Sequence, residues 1–189
     1  MSQEPVKISL EFTPNPNTLK FVVNRQFLEK GAANFTDLSK SEHSPLARKL
    51  FNIKGVDGVM IGTNFVTITK GPEGTWDILA EEVPKTIETE LTAGNPVFEA
   101  GWDPQSLNAP TGNETEIEKK IREILDTEIR PAVAMDGGDI TFGRYEDGIV
   151  YLQLQGACSS CPSSIATLRI GVETRLKEVI PEIKEVVQV

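Results

Sequence analysis

Hydrophobic and polar residues alternate from Val6 to Phe12 and again from Leu19 to Val23, the period of half-buried strands. Between them Thr13-Pro14-Asn15-Pro16-Asn17 is turn chemistry, so the two segments predict a hairpin. Residues 45 to 51 suggest a short helix. Val56 to Ile61 and Phe65 to Thr69 then flank Gly62-Thr63-Asn64 as a second hairpin. From Thr75 to Thr89 the period becomes helical, with Trp76, Leu79, Val83 and Ile87 on one face, and Pro84 must kink or shorten that helix.

Residues 99 to 112 break all periodicity and are rich in Pro, Gly, Asn and Thr, which marks a linker between a domain over 1–98 and another over 113–189. In the second domain Asn113 and Glu116 form an N-cap pair ahead of Ile117, Ile121, Ile124, Leu125 and Ile129 at helical spacing. Gly137-Gly138 must end that helix, which first has to pass or kink at Pro131. Ile140 to Arg144 and Ile149 to Gln155 are strands around the hairpin signal Asp147-Gly148. Pro162 suits a first helical position, and Ile165, Leu168, Val172, Leu176 and Val179 make the apolar stripe of a second helix. Ile183 to Val189 closes the chain as a strand. The expected class is α+β in two small domains, the second ordered α-β-β-α-β with a CxxC at the start of its second helix.

Composition narrows the function. With 39% hydrophobic and 25% charged residues the chain can bury a core. Nineteen basic against twenty-eight acidic residues leave a charge of -9. Ten basic and fourteen acidic residues lie before residue 109 and nine and fourteen after it, so no basic arm is concealed. Neither a nucleic-acid nor a membrane partner is expected of such a surface. No run approaches the roughly 20 apolar residues of a membrane span. The N-terminus lacks a basic flank before an apolar run, so a cytoplasmic protein is expected, with a mitochondrial matrix protein trimmed of its presequence as the alternative.

The chemistry concentrates in Gln155-Gly156-Ala157-Cys158-Ser159-Ser160-Cys161-Pro162. Two thiols three residues apart at a helix start meet unpaired backbone N–H groups and the positive end of the helix dipole, and thiolates are expected to form there readily. Ser159 and Ser160 are small enough to leave room for a bulky centre. The chain holds two cysteines in total, whereas a cubane cluster or an all-cysteine zinc site wants four soft ligands. If a metal centre is complete in protein ligands, two chains must each supply Cys158 and Cys161. The one histidine, His43, is expected to face solvent in the other domain. Spacing alone leaves three readings open: a metal or cluster site, a redox dithiol, and a pair of buried cysteines. A nucleophile-base-acid set, a phosphate loop and a dinucleotide fingerprint are all missing, so no catalytic residue is assigned.

Met135-Asp136-Gly137-Gly138-Asp139-Ile140, followed by Leu154 to Ser164 and Thr167-Leu168, resembles the C-terminal NifU-like domain of Nfu-type iron-sulfur cluster scaffold and carrier proteins. Phe12 to Phe21 and Leu50 to Val56 resemble the Nfu N-terminal domain. The resemblance implies that Cys158 and Cys161 are iron ligands of a 4Fe-4S cluster shared by two subunits. It also implies a homodimer held through that cluster, with upstream assembly factors and apo iron-sulfur client proteins as partners. A thiol-disulfide oxidoreductase and a zinc-bridged structural dimer are the alternatives at the same residues.

Several other residues carry simpler expectations. The glycines of Asp136-Gly137-Gly138-Asp139 are explained by a helix stop feeding a strand, and hard carboxylates suit cluster iron poorly. Arg130, Arg144 and Arg169 are expected to be solvated. The Thr13–Asn17 loop makes sense as a turn, with client contact as the functional alternative. Trp76 belongs to the first core, and Trp102 is an unusual residue for a linker.

Overall fold

The computed structural model describes residues 4–109 and 112–189; Met1–Gln3 and, within the expected linker, Pro110 and Thr111 lie outside the described residues. The chain forms two sheets, each with its own helices and core. The first sheet is antiparallel, in the order β1 (Ile8–Phe12), β2 (Thr18–Val23), β5 (Phe65–Lys70), β4 (Val56–Ile61), β3 (Ala33–Phe35). Both expected hairpins are present. The three-residue strand β3 is additional, too short for its alternation to stand out from a loop.

Alternation sorts the strand residues. Leu19, Phe21, Val23, Val59, Ile61, Val66 and Ile68 enter the main core with α1 (Pro45–Phe51) and α2 (Trp76–Thr92). Leu79, Val83 and Ile87 are fully buried there, and Trp76 packs at the margin. Pro84 lies inside α2, which continues through it. Trp102 belongs to this half as well, its ring centroid lying 5.3–6.1 Å from those of Phe35, His43 and Phe98. The opposite face of the sheet carries Lys20, Met60, Phe65 and Thr67, all buried. A one-sided sheet would leave these positions in water. Here the C-terminal half covers them.

The C-terminal half begins with α3 (Glu116–Ile124). Its cap is Thr115 with Glu118, two residues beyond the expected pair: the Thr115 hydroxyl accepts from Glu118 N–H at 3.2 Å, while Glu118 Oε2 accepts from Thr115 N–H at 2.8 Å. This register satisfies donors in both directions, and it alone forms the reciprocal box. A single wide π turn, Leu125–Ile129, leads to α4 (Arg130–Met135). The wide turn immediately precedes Pro131, which has no N–H to give to a regular helical ladder. Gly137 (φ +77) ends the helix.

β6 (Gly138–Glu146) and β7 (Ile149–Gly156) follow as an antiparallel hairpin turned by Asp147 and Gly148. The helix α5 (Pro162–Val179) then carries the chain to β8 (Glu185–Gln188), which pairs parallel to β7. In α5, Val172 and Leu176 are buried, but Val179 is exposed and the next residue, Ile180, takes the core position. The helix ends at Val179, and the non-helical backbone of its C-cap Ile180 (φ -126, ψ 90) turns that side chain into the core.

Arg130 is not solvated as expected. Its Nε and Nη2 donate to the two carboxylate oxygens of buried Asp139 at 2.9 and 2.8 Å, and Nη1 donates to Asp126 at 3.0 Å. The fork ties α4 to β6 immediately before the strand reaches the core. Arg130→Gln would leave Asp139 buried without its counter-charge. We expect a loss of about 3–5 kcal/mol, read as a lower urea midpoint at unchanged slope. A loss under about 1 kcal/mol, the scale of an exposed pair, would contradict this role.

Candidate functional site

The two cysteines lie in the tight connection between β7 and α5, and Cys161 is the residue that precedes the first turn of α5. Gly156 ends the strand. Ala157 N–H then donates to the carbonyl of Gly137 at 3.1 Å, so the loop is tied at once to the end of α4. Ser159 N–H and Oγ both donate to the carbonyl of Gly156, at 3.2 and 2.8 Å, which closes the loop on itself.

Both thiols are buried: Cys158 is 5% and Cys161 6% exposed. Cys158 packs in the second core, and its sulfur faces the Cα of Gly138. A Cβ on residue 138 would stand 2.5 Å from Cys158 Sγ. Gly138 therefore does more than admit the chain into a strand. Its missing side chain is the space that the sulfur occupies.

What covers Cys161 is the N-terminal half. Its Sγ lies 3.9 Å from the carbonyl oxygen of Pro14. Asn15, although in a loop, is 2% exposed, and its Nδ2 donates to the Ala157 carbonyl at 3.0 Å and to Ser160 Oγ at 2.7 Å. Asn15 Oδ1 meanwhile accepts from Asn17 N–H at 3.0 Å, which fixes the amide's orientation. Thr67 Oγ1 donates to the Gly137 carbonyl at 2.8 Å, and Lys20 Nζ donates to the Met135 carbonyl at 3.2 Å while pairing with Glu11 at 3.0 Å. The Thr13–Asn17 loop is thus a turn, as expected, and also a contact on the CxxC loop of its own chain.

Sequence reasoning missed Asn15, Lys20 and Thr67. Lys20 and Thr67 are polar positions on strands with one plainly apolar face, so alternation assigns them to solvent. The one available signal was the doubled proline around Asn15, which stiffens the loop. Of the two acidic residues, Asp139 is committed to Arg130, and Asp136 is the C-cap of α4. His43 is exposed in the other half, where it pairs with Glu99 at 3.0 Å.

The expectation of ready thiolates is overturned for Cys158. Burial first, then the negative field of Asp136, push its thiol from near 9 up to about 11. Helix-end donors act on exposed termini, whereas here desolvation outweighs them. The sign follows directly. A neutral thiol favoured by the folded state contributes its full stabilisation below pH 9, and that contribution is lost as pH rises from 9 towards 11.

Two outcomes follow for the metal-free protein. In a Cys161→Ser chain, which keeps the burial and removes the charge of the second sulfur, iodoacetamide labelling of Cys158 should still track a thiolate curve with its midpoint above 9, and Asp136→Asn should lower that midpoint. A midpoint at or below 9 would contradict the burial. Gly138→Ala should displace the Cys158 sulfur at a cost of about 1–3 kcal/mol, the range for overpacking. Thermal unfolding checks the cost, and a faster labelling rate at Cys158 checks the displacement.

The chain's similarity to known proteins covers both halves. A family model described as "Scaffold protein Nfu/NifU N terminal" matches residues 8–94, and one described as "NifU-like domain" matches residues 121–187. The human protein named "NFU1 iron-sulfur cluster scaffold homolog, mitochondrial" is 42% identical over 183 residues, which take in 96% of this chain and 71% of the human one. A Drosophila virilis protein of the same name is 42% identical over 190 residues, and there the chain spans 63% of its relative's length. The solution structure of a NifU-like protein from Saccharomyces cerevisiae covers 53% of this chain and 90% of its own, at 30% identity and a TM-score of 0.44. With both regions matched in order and a relative 42% identical over 96% of this chain, the chain belongs to the Nfu family of iron-sulfur cluster scaffold homologues.

Proposed function

We propose that the protein carries a 4Fe-4S cluster as cargo, held by Cys158 and Cys161 of two chains, and passes it to apo-proteins during iron-sulfur cluster assembly. The observation that carries this reading is the donor set. Two thiols stand together in one short loop, and among the described residues no group of three or more His, Cys, Asp or Glu could hold a metal ion. A soft, two-thiol half-site suits cluster iron, and two-fold pairing of identical half-sites supplies four thiolates. The relatives' names as cluster scaffolds support the same chemistry.

Transfer on this reading is ligand exchange without redox change. A client thiolate forms an iron–sulfur bond as one iron–sulfur bond to Cys158 or Cys161 breaks, and the released thiolate takes up a proton. No group needs to turn over, which agrees with a scaffold rather than an enzyme. The domains would be 1–98 and 113–189 with the linker between. The mitochondrial names of the relatives favour the matrix over the cytoplasm as the compartment. The oxidoreductase alternative needs Cys158 or its neighbour as an attacking thiolate, and the raised proton affinity of Cys158 works against it.

Anaerobic reconstitution with iron and sulfide tests the proposal. About four irons and four sulfides per two chains are expected, together with visible charge-transfer absorption and the mass of a dimer. Cys158→Ser and Cys161→Ser should each abolish stable binding. A wild-type protein that stays colourless and monomeric, or that takes up zinc alone, would overturn the reading.

A further inference from the structure

We infer that the N-terminal half is a reversible intrachain lid on the cysteine loop, so that the closed chain and the cluster-bridged dimer are alternative occupants of one face. The inference rests on Cys158 and Cys161 being the cluster ligands. A cluster shared between two chains has to reach both sulfurs of each, yet the Pro14 carbonyl stands against Cys161 Sγ and the Asn15 amide bridges Ala157, immediately before Cys158, and Ser160, immediately before Cys161. A second copy cannot approach the same loop until those contacts part.

The chemistry of the covered face argues for reversibility. The first sheet's inner face packs its buried side chains into one large apolar cluster, as a permanent core does. Its outer face holds the C-terminal half through polar side chains. Thr67 and Lys20 each donate to a backbone carbonyl of the α4–β6 connection, and Asn15 to one of the cysteine loop. The apolar complement is small, consisting of Ala32, Met60 and Phe65 with Val22 and Ala134 at the edge. Once parted, every one of these polar groups can be satisfied by water, as interfaces that open require. Packing is also incomplete: a cleft of about 350 Å³ runs between the halves from Lys30 and Phe65 to Gly138.

The closed state can be weakened without touching a cysteine. Asn15→Asp keeps the oxygen that accepts from Asn17 N–H but sets a carboxylate against the Ala157 carbonyl, and Thr67→Val removes only the hydroxyl that bonds Gly137. In metal-free protein, iodoacetamide labelling of Cys158 and Cys161 read by mass spectrometry should be about tenfold faster or more in the double variant, the scale of two lost hydrogen bonds. The radius of gyration from small-angle X-ray scattering should rise. On reconstitution the variant should reach full cluster content and dimer mass sooner than the wild type.

Wild-type thiols that label as fast as the variant's, with equal radii, would overturn the lid. Should the double variant unfold, the near-isosteric Thr67→Val alone, measured in the same way, decides the point. The two readings fail separately. Equal labelling with normal cluster uptake sinks the lid and leaves the carrier, whereas unequal labelling in chains that never take up iron sinks the carrier and leaves a lid over a dithiol.

Discussion

One carbonyl oxygen ties the structure together. Gly137 C=O accepts from Ala157 N–H at the entrance to the cysteine loop and from the Thr67 hydroxyl in the middle of the first sheet. The end of α4, the cysteine loop and the N-terminal sheet therefore meet at a single backbone group. This is possible because residue 137 turns with φ +77 and residue 138 has no side chain to hold Cys158 away. The Arg130–Asp139 fork anchors the same connection from the other side, so the acceptor is presented at a fixed angle.

From that junction the electrostatics of the site follow. Cys158 is placed against backbone and core rather than water, with Asp136 nearby, and both raise its affinity for a proton. Nearness to a helix start does not by itself make a thiol acidic. The sulfur must also be solvated or matched by a cation, and the closed arrangement provides neither at Cys158.

Much of the fold was legible because local patterns were strong and mutually consistent. Phe21, Val23, Ile61, Val66 and Ile68 fall on one strand face by simple alternation, and Leu79, Val83 and Ile87 on one helix face by the helical period. The Asp147-Gly148 turn was legible because few residues accept two consecutive positive φ angles. The cap of α3 was displaced by two residues because Asn113 and Thr115 each have a glutamate three positions on, and spacing cannot rank them. Arg130 was misjudged because its partner, nine residues away across a helix end, faces it only after β6 turns back.

The chemistry on offer is readable in the residues alone: two soft ligands, their spacing, their place before a helix, and the arithmetic that makes a four-ligand site a matter for two chains. Those are properties of residue type and order. Only the tertiary structure decided the state of those ligands. Whether Cys158 is acidic depends on the core and the carboxylates packed around it, while whether Cys161 is reachable and whether Lys20, Thr67 and Asn15 face water depend on which surface lies against the other face of the first sheet. A polar residue on a strand satisfies its hydrogen bonds equally well with solvent or with a carbonyl a hundred residues away, and nothing local distinguishes the two.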